Sequence, residues 1–267
     1  MRHATIWAAV LGMARIISAT PAEGQDMMRH IDVTSPEMVS AEMTRADVEA
    51  AIARATSAQP ADFTGKRLSG LDLSGLDLSG AVFRAAKLNR TKLADAKLDR
   101  AILDQAWLLE ADLSRASLKE AKIFAAQMQR ATLDGADLSG ARIAADLTGA
   151  RLVGATLVGS NLSADMKNQS MGLMRAVLKS ANLERASLHD ADLSRADLEF
   201  AFLKNADLTN ASLRGAALGG ATLTGVTIVG TDFLGADLVS TRLIAPIGLD
   251  AAKNLDKARN IDRLLRE

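Results

Sequence analysis

The sequence predicts an all-β solenoid with four flat sides. Three observations predict it: a five-residue beat, glycine gathered at one phase of that beat, and charge that changes sign every twenty residues. From Ala61 to Ala245 an apolar residue, usually leucine, returns at every fifth position, and two places before it stands a small residue, mostly alanine. Ala111-Asp112-Leu113-Ser114-Arg115 and Ala191-Asp192-Leu193-Ser194-Arg195 are typical units. A period of five matches neither the helix period of 3.6 nor the strand period of 2, so a helix would smear these leucines around its circumference. The chain must turn a corner about every five residues, with the centre and the small residue inward. Glycine two places after the centre, as at Gly135 and Gly154, supplies the permissive backbone a corner needs. A short fixed period of this kind marks a stacked solenoid.

The charges give the length of one turn. Outward side chains one turn apart lie over one another, so opposite signs should recur at the turn length. At a separation of 20 there are eleven opposite-sign pairs, among them Asp95/Arg115, Arg90/Glu110 and Lys179/Glu199, against three like-sign pairs, Arg67/Lys87, Lys122/Arg142 and Arg175/Arg195. Four five-residue sides per turn follow, and the section is square.

Units of the form A(D/N)LXX over about 185 positions resemble the pentapeptide-repeat family. The resemblance implies a right-handed quadrilateral β-helix of about nine coils, on the order of 43 Å long at the usual strand spacing. It says little about activity, because the family is functionally diverse.

Taken in order, residues 1–22 read as an export signal: Arg2 and His3, an apolar run from Ala4 to Ala14, and a small-residue exit at Ser18-Ala19-Thr20-Pro21-Ala22. The expected address is periplasmic or secreted, with no stable membrane span after cleavage. Residues 23–60 read as a flexible lead and an N-terminal capping helix, in which Thr44 and Asp47 form a capping box ahead of Val48, Ala51, Ile52 and Ala55. Residues 61–245 are the repeat. Residues 246–267 are read as a C-terminal helical cap on the spacing of Leu249, Ala252, Leu255, Ala258, Ile261 and Leu264. Such caps protect the open strand edges of the end coils, and a homodimer contact through one of them is the alternative use.

The beat slips between Ile143 and Leu173. The step to Leu147 is one residue short, and the side at 165–170 is one residue long, so the two slips cancel over 30 residues, or six sides. Counting by fours places this irregular side on the second face, below Leu68, Leu88, Leu108 and Met128, with His189 and Asp190 further down the same face. Met166, Met171 and Met174 are read as packing there rather than as a soft metal site.

Composition narrows the function. Inside 61–245 there are 22 Lys and Arg against 21 Asp and Glu, a balance of +1. Nucleic acid calls for a basic excess, so no nucleic-acid partner is expected. The absence of cysteine excludes disulfide and thiol chemistry. No metal or cofactor motif appears, and Ser187, His189 and Asp190 lie side by side on one flat face, where they do not converge into a triad. The sequence therefore predicts a non-enzymatic protein of the bacterial cell envelope that acts as a binding or scaffold surface. The candidate partner-binding residues are Arg67, Lys87, Arg90, Trp107 and Arg130, a basic strip with one indole on the second face. Arginine forks grip carboxylate or phosphate and the indole stacks, so the expected partner is a protein or an anionic ligand. The alternative comes from the resemblance alone: a branch of the family binds DNA gyrase by imitating the duplex and blunts quinolone action. That branch is cytoplasmic and acidic, and this chain departs on both counts.

Overall fold

The computed structural model describes residues 32–166 and 174–266. The expected signal at 1–22, the start of the lead at 23–31, and Met171 and Leu173 lie outside the described residues. No described helix is long and apolar enough to cross a membrane.

The repeat forms a four-sided stack of parallel rungs. Each centre donates its N–H to a carbonyl one coil on, as Phe83 to Ile102 (2.7 Å), and the residue before the next centre donates one coil back, as Lys87 to Lys66 (2.8 Å). A third bond closes each corner, as Ala86 to Phe83 (3.1 Å). Four columns result. The first runs from Asp62 to Lys253, the second from Arg67 to Arg259, the third from Asp72 to Leu265 and the fourth from Asp77 to Ile247. Inward, leucine and alanine fill the section almost without exposed surface, with Phe63 stacked on Phe83 (5.1 Å between ring centres) near the top.

The corners need a left-handed residue two places past the centre. Gly154 takes φ +65 there, and Arg115 takes φ +56 in the same role. Most corners interrupt the extended backbone, which leaves only two continuous strands among the described residues, β1 (Lys122–Gln127) and β2 (Arg142–Asp146), paired in parallel. At β2 the unit is one residue short. Ala144 and Ala145 turn inward and are buried, and neither takes a left-handed conformation. The missing residue is thus the corner itself, and alanine is what the narrowed section accommodates.

Aspartate before the centre has a structural task. Asp112 accepts from the Ser114 amide (3.0 Å) and Asp137 from that of Ser139 (3.0 Å). Asn161 and Asn182 do the same for Ser163 and Glu184 (3.0 Å each). These side-chain turns fasten the outer backbone at the corners that carry them.

Two expectations are corrected. The irregular segment does not occupy one side in register. Asp146 pairs with Val177, Arg151 with Asn182 and Thr156 with Ser187, a step of 31 residues. Leu162 therefore belongs to the first face and Leu178 to the second, so the step between these centres is 16 residues instead of five, and the added length enters at that corner after Ala164, where the Asp165 amide bonds to the Met174 carbonyl (2.8 Å). Ser187, His189 and Asp190 consequently sit on the fourth face, not the second, and Met166 is 48% exposed instead of packed inside. The second correction concerns the C-terminal helical cap. Residues 249–263 contain three three-residue 3-10 turns, Leu249–Ala251, Leu255–Lys257 and Ile261–Arg263. Lys253, Arg259 and Leu265 continue three columns as rungs. The end of the chain is a wider coil with six residues per side, and Ala252, Leu255, Ala258 and Leu264 pack on the core above.

At the other end, α1 (Pro36–Val39) and α2 (Arg45–Arg54) close the first coil. Thr44 and Asp47 make a reciprocal capping box. Val48 is fully buried in the core cluster, and Arg45 donates to the carbonyls of Asp72 and Ser74. Between the helices, Ala41 pairs antiparallel with Leu68, and Glu42 donates its N–H to the Arg67 carbonyl.

Candidate functional site

The second face presents its outward residues in two columns. Arg67, Lys87, Trp107 and Gln127 are successive rungs, paired through the backbone. Arg90, Glu110 and Arg130 occupy the neighbouring corner, each in left-handed conformation, which no residue of the rung column shares. All five candidate residues therefore fall on one face, in two adjacent rows.

Their electrostatics differ from a bare basic strip. Arg67 Nε lies 3.4 Å from Glu42, Lys66 lies 3.6 Å from the same carboxylate, and Lys87 Nζ lies 3.9 Å from Glu37. The Arg67 amide also donates to Glu42, which holds that carboxyl below its ordinary value against the opposing effect of desolvation. Both acids come from the segment that leads into α2, which the repeat period does not reach. Lower down, Arg90 Nε donates to Glu110 (2.9 Å), and Arg130 stands 4.0 Å from it. Five cations thus meet three carboxylates. Trp107 is half-buried between Lys87 and Gln127, less open than an indole on a flat face was expected to be. The most accessible side chains of the strip are Arg90 and Arg130, 66% and 77% exposed, and the half-buried Trp107 lies beside them.

Asn89 escaped the sequence reading. It is buried, donates Nδ2 to the Met38 carbonyl (3.0 Å) and accepts from the Leu109 amide (3.0 Å), so one side chain ties the N-terminal segment to two coils. Its signal was an amide one place after the centre, a position that the repeat fills with Ser, Thr, Val and charged residues alike.

On the fourth face, His189 Nε2 contacts Asp190 (3.0 Å), and Ser187 has no hydrogen bond to either among the described residues. No group of three or more metal-ligating side chains gathers among the described residues.

Comparison with known proteins places this geometry. The family model for pentapeptide repeats matches in eight copies, over residues 67–105, 103–140, 125–163, 173–210 and 206–243. Among solved structures, HetL, a pentapeptide-repeat protein involved in heterocyst differentiation regulation from the cyanobacterium Nostoc sp. strain PCC 7120, is 27% identical. The match covers 84% of this chain and 94% of that one, with a TM-score of 0.43. A trypsin-treated form of QnrB1, a plasmid-mediated fluoroquinolone resistance protein, is 14% identical over 72% of this chain and 88% of that one, with a TM-score of 0.53. The latter likeness concerns the fold alone. No curated protein matches the chain. With the family model spanning more than half of the sequence and its beat written into every face of the stack, the chain belongs to the pentapeptide-repeat family.

Proposed function

We propose that this protein is a non-enzymatic recognition rod of the bacterial cell envelope, whose second face binds a protein or an anionic ligand. The observation that carries the reading is Trp107 beside the Arg90–Glu110–Arg130 ladder. An aromatic face and two exposed guanidiniums are held on a backbone bonded to both neighbouring coils. Rigid presentation of this kind lowers the ordering cost of binding, and arginine with tryptophan is the pair most often found where binding energy concentrates. The envelope address rests on the N-terminal pattern of Arg2, His3 and the apolar run that follows.

The test is a cross-linking capture in periplasmic extract, comparing the wild type with a W107A/R90A/R130A variant. These three residues leave the Glu42 and Glu37 contacts of the N-terminal segment intact, which Arg67 and Lys87 substitutions would not. The expected result is a partner captured by the wild type and lost from a variant that melts at the same temperature. Equal capture by both would overturn the assignment of the face. N-terminal sequencing of the native protein tests the address: a mature start near Glu23 is expected, and an intact Met1 in the cytosol would overturn it. That outcome would make protection of DNA gyrase in a supercoiling assay the next experiment.

A further inference from the structure

Low on the stack, a different corner loses its side chains. Arg195, Gly215 and Gly235 hold equivalent places on successive coils where the first face turns into the second, with φ of +63, +65 and +68. A Cβ on Gly215 would stand 3.5 Å from the Arg195 side chain, and one on Gly235 would meet nothing within 4 Å. The bare corner opens a cleft of about 500 Å³ lined by Arg195, Arg214, Gly215, Leu234, Gly235 and Arg259.

Its charged lining is wholly positive. Arg214 lies 2.7 Å from Asp232, and Arg259 lies 3.6 Å from Asp237 while donating Nε to the Gly235 carbonyl (3.2 Å). Arg195 has no ion pair among the described residues. The two aspartates are shared with other donors. Asp232 accepts from the Leu234 amide and from Asn254, and Asp237 accepts from the Val239 amide and from Asn260. Burial works to raise the Asp232 carboxyl, yet Asn254, the Leu234 amide and Arg214 together hold it below its ordinary value. Three guanidiniums therefore face the cleft, with two carboxylates behind them that are already divided among backbone, amide and guanidinium.

We propose that this cleft binds a compact dianion of the phosphate class, either free phosphate or the terminal group of a phosphate monoester. A guanidinium presents a planar fork of donors that a tetrahedral dianion can accept from several directions at once, whereas a lone carboxylate fills one fork. The missing Cβ atoms at Gly215 and Gly235 let the anion approach the corner between the three side chains. Arg214 and Arg259 are pre-ordered by their aspartates, and Arg195 supplies the uncompensated charge.

The experiment is a titration of the full chain with inorganic phosphate at constant ionic strength, followed by nitrogen-15 NMR at the arginine Nε–Hε groups and the Gly215 and Gly235 amides. The expected result is saturable shifts confined to this cluster. Phenyl phosphate serves as the ester arm and acetate as the carboxylate arm. Arg195→Gln and Leu234→Glu should each weaken binding about tenfold, while Arg185→Gln, at another corner and paired with Glu184, should leave it unchanged. Shifts spread evenly over all cations, an equal response to acetate, or unchanged affinity in both cluster variants would overturn the proposal.

Discussion

The corner residue bears a conformational demand separable from every contact around it. At Gly154 the backbone is left-handed and an added Cβ would meet nothing within 4 Å, so only the backbone opposes a side chain. Gly154→Val should cost about 1–2 kcal/mol, read as a lower denaturant midpoint with an unchanged slope. The aspartates before the centre carry a second demand. The carboxyls of Asp62, Asp72 and Asp77 are held below the ordinary 3.8, chiefly by their bonds to Thr64, Ser74 and Ser79. A depressed folded value contributes stability that is present above the unfolded value and lost as pH falls through the folded one. The upper coils should therefore weaken below about pH 4. Replacing all three by Asn, which serves the same corner at Asn161 and Asn182, should flatten that fall in a series of thermal melts. The sequence held the sign of this role in the spacing Asp-Leu-Ser and Asp-Leu-Thr. A carboxylate two residues before a hydroxyl residue is a turn-forming pair, and an outward position with a charge is easily taken for mere solvation.

Among the elements, the N-terminal segment was half legible. Thr44 and Asp47 spell the start of α2, because a capping box is local chemistry. The placement of residues 36–42 over the second face depends on Asn89, Arg67 and Lys87, contacts 25 to 51 residues away in sequence, and no period carries that. Asn89→Ala should remove both of its hydrogen bonds, the one to Met38 buried, and cost about 1–3 kcal/mol. Faster amide hydrogen exchange confined to residues 36–43 would be the readout. The C-terminal segment was misread for a physical reason. Leu249, Ala252, Leu255, Ala258, Ile261 and Leu264 are spaced strictly by threes, whereas an α-helical stripe alternates threes with fours. Leucine and alanine alternating at three from Leu249 to Ala258 is a six-residue side written with the same two-residue alphabet as the repeat.

For the coil stack as a whole, the square section was readable because outward charges obey it. Of the eleven opposite-sign pairs at a separation of 20, six close to within 4.0 Å. Exposed pairs of this kind contribute little stability each, but they report register. Across the insertion the ladder is silent: Arg151 meets Asn182 and Thr156 meets Ser187, so no sign change marks the step of 31 and the lower faces were assigned two sides away from where they lie. Each coil touches only its neighbours, which makes stability a sum of coil and interface contributions. Deleting residues 112–131, one full coil, should leave a folded protein with a modestly lower melting temperature. Deleting 112–116 alone would set Asp95 against Glu120 and Lys97 against Lys122, and should lower it further; circular dichroism melts of the two deletions decide this.

The bond that joins Asp165 to Met174 has a bearing on what this gene can tolerate. Its two ends stay fixed by the coils above and below, so a longer connection would start and finish at the same two points. Doubling such a closed segment costs only about 0.6 kcal/mol in closure entropy. Foreign sequence, a tag or a whole small domain spliced between these two residues would leave every rung on both sides where it is. The corner after Leu162 is a natural port for cargo on an otherwise length-locked rod.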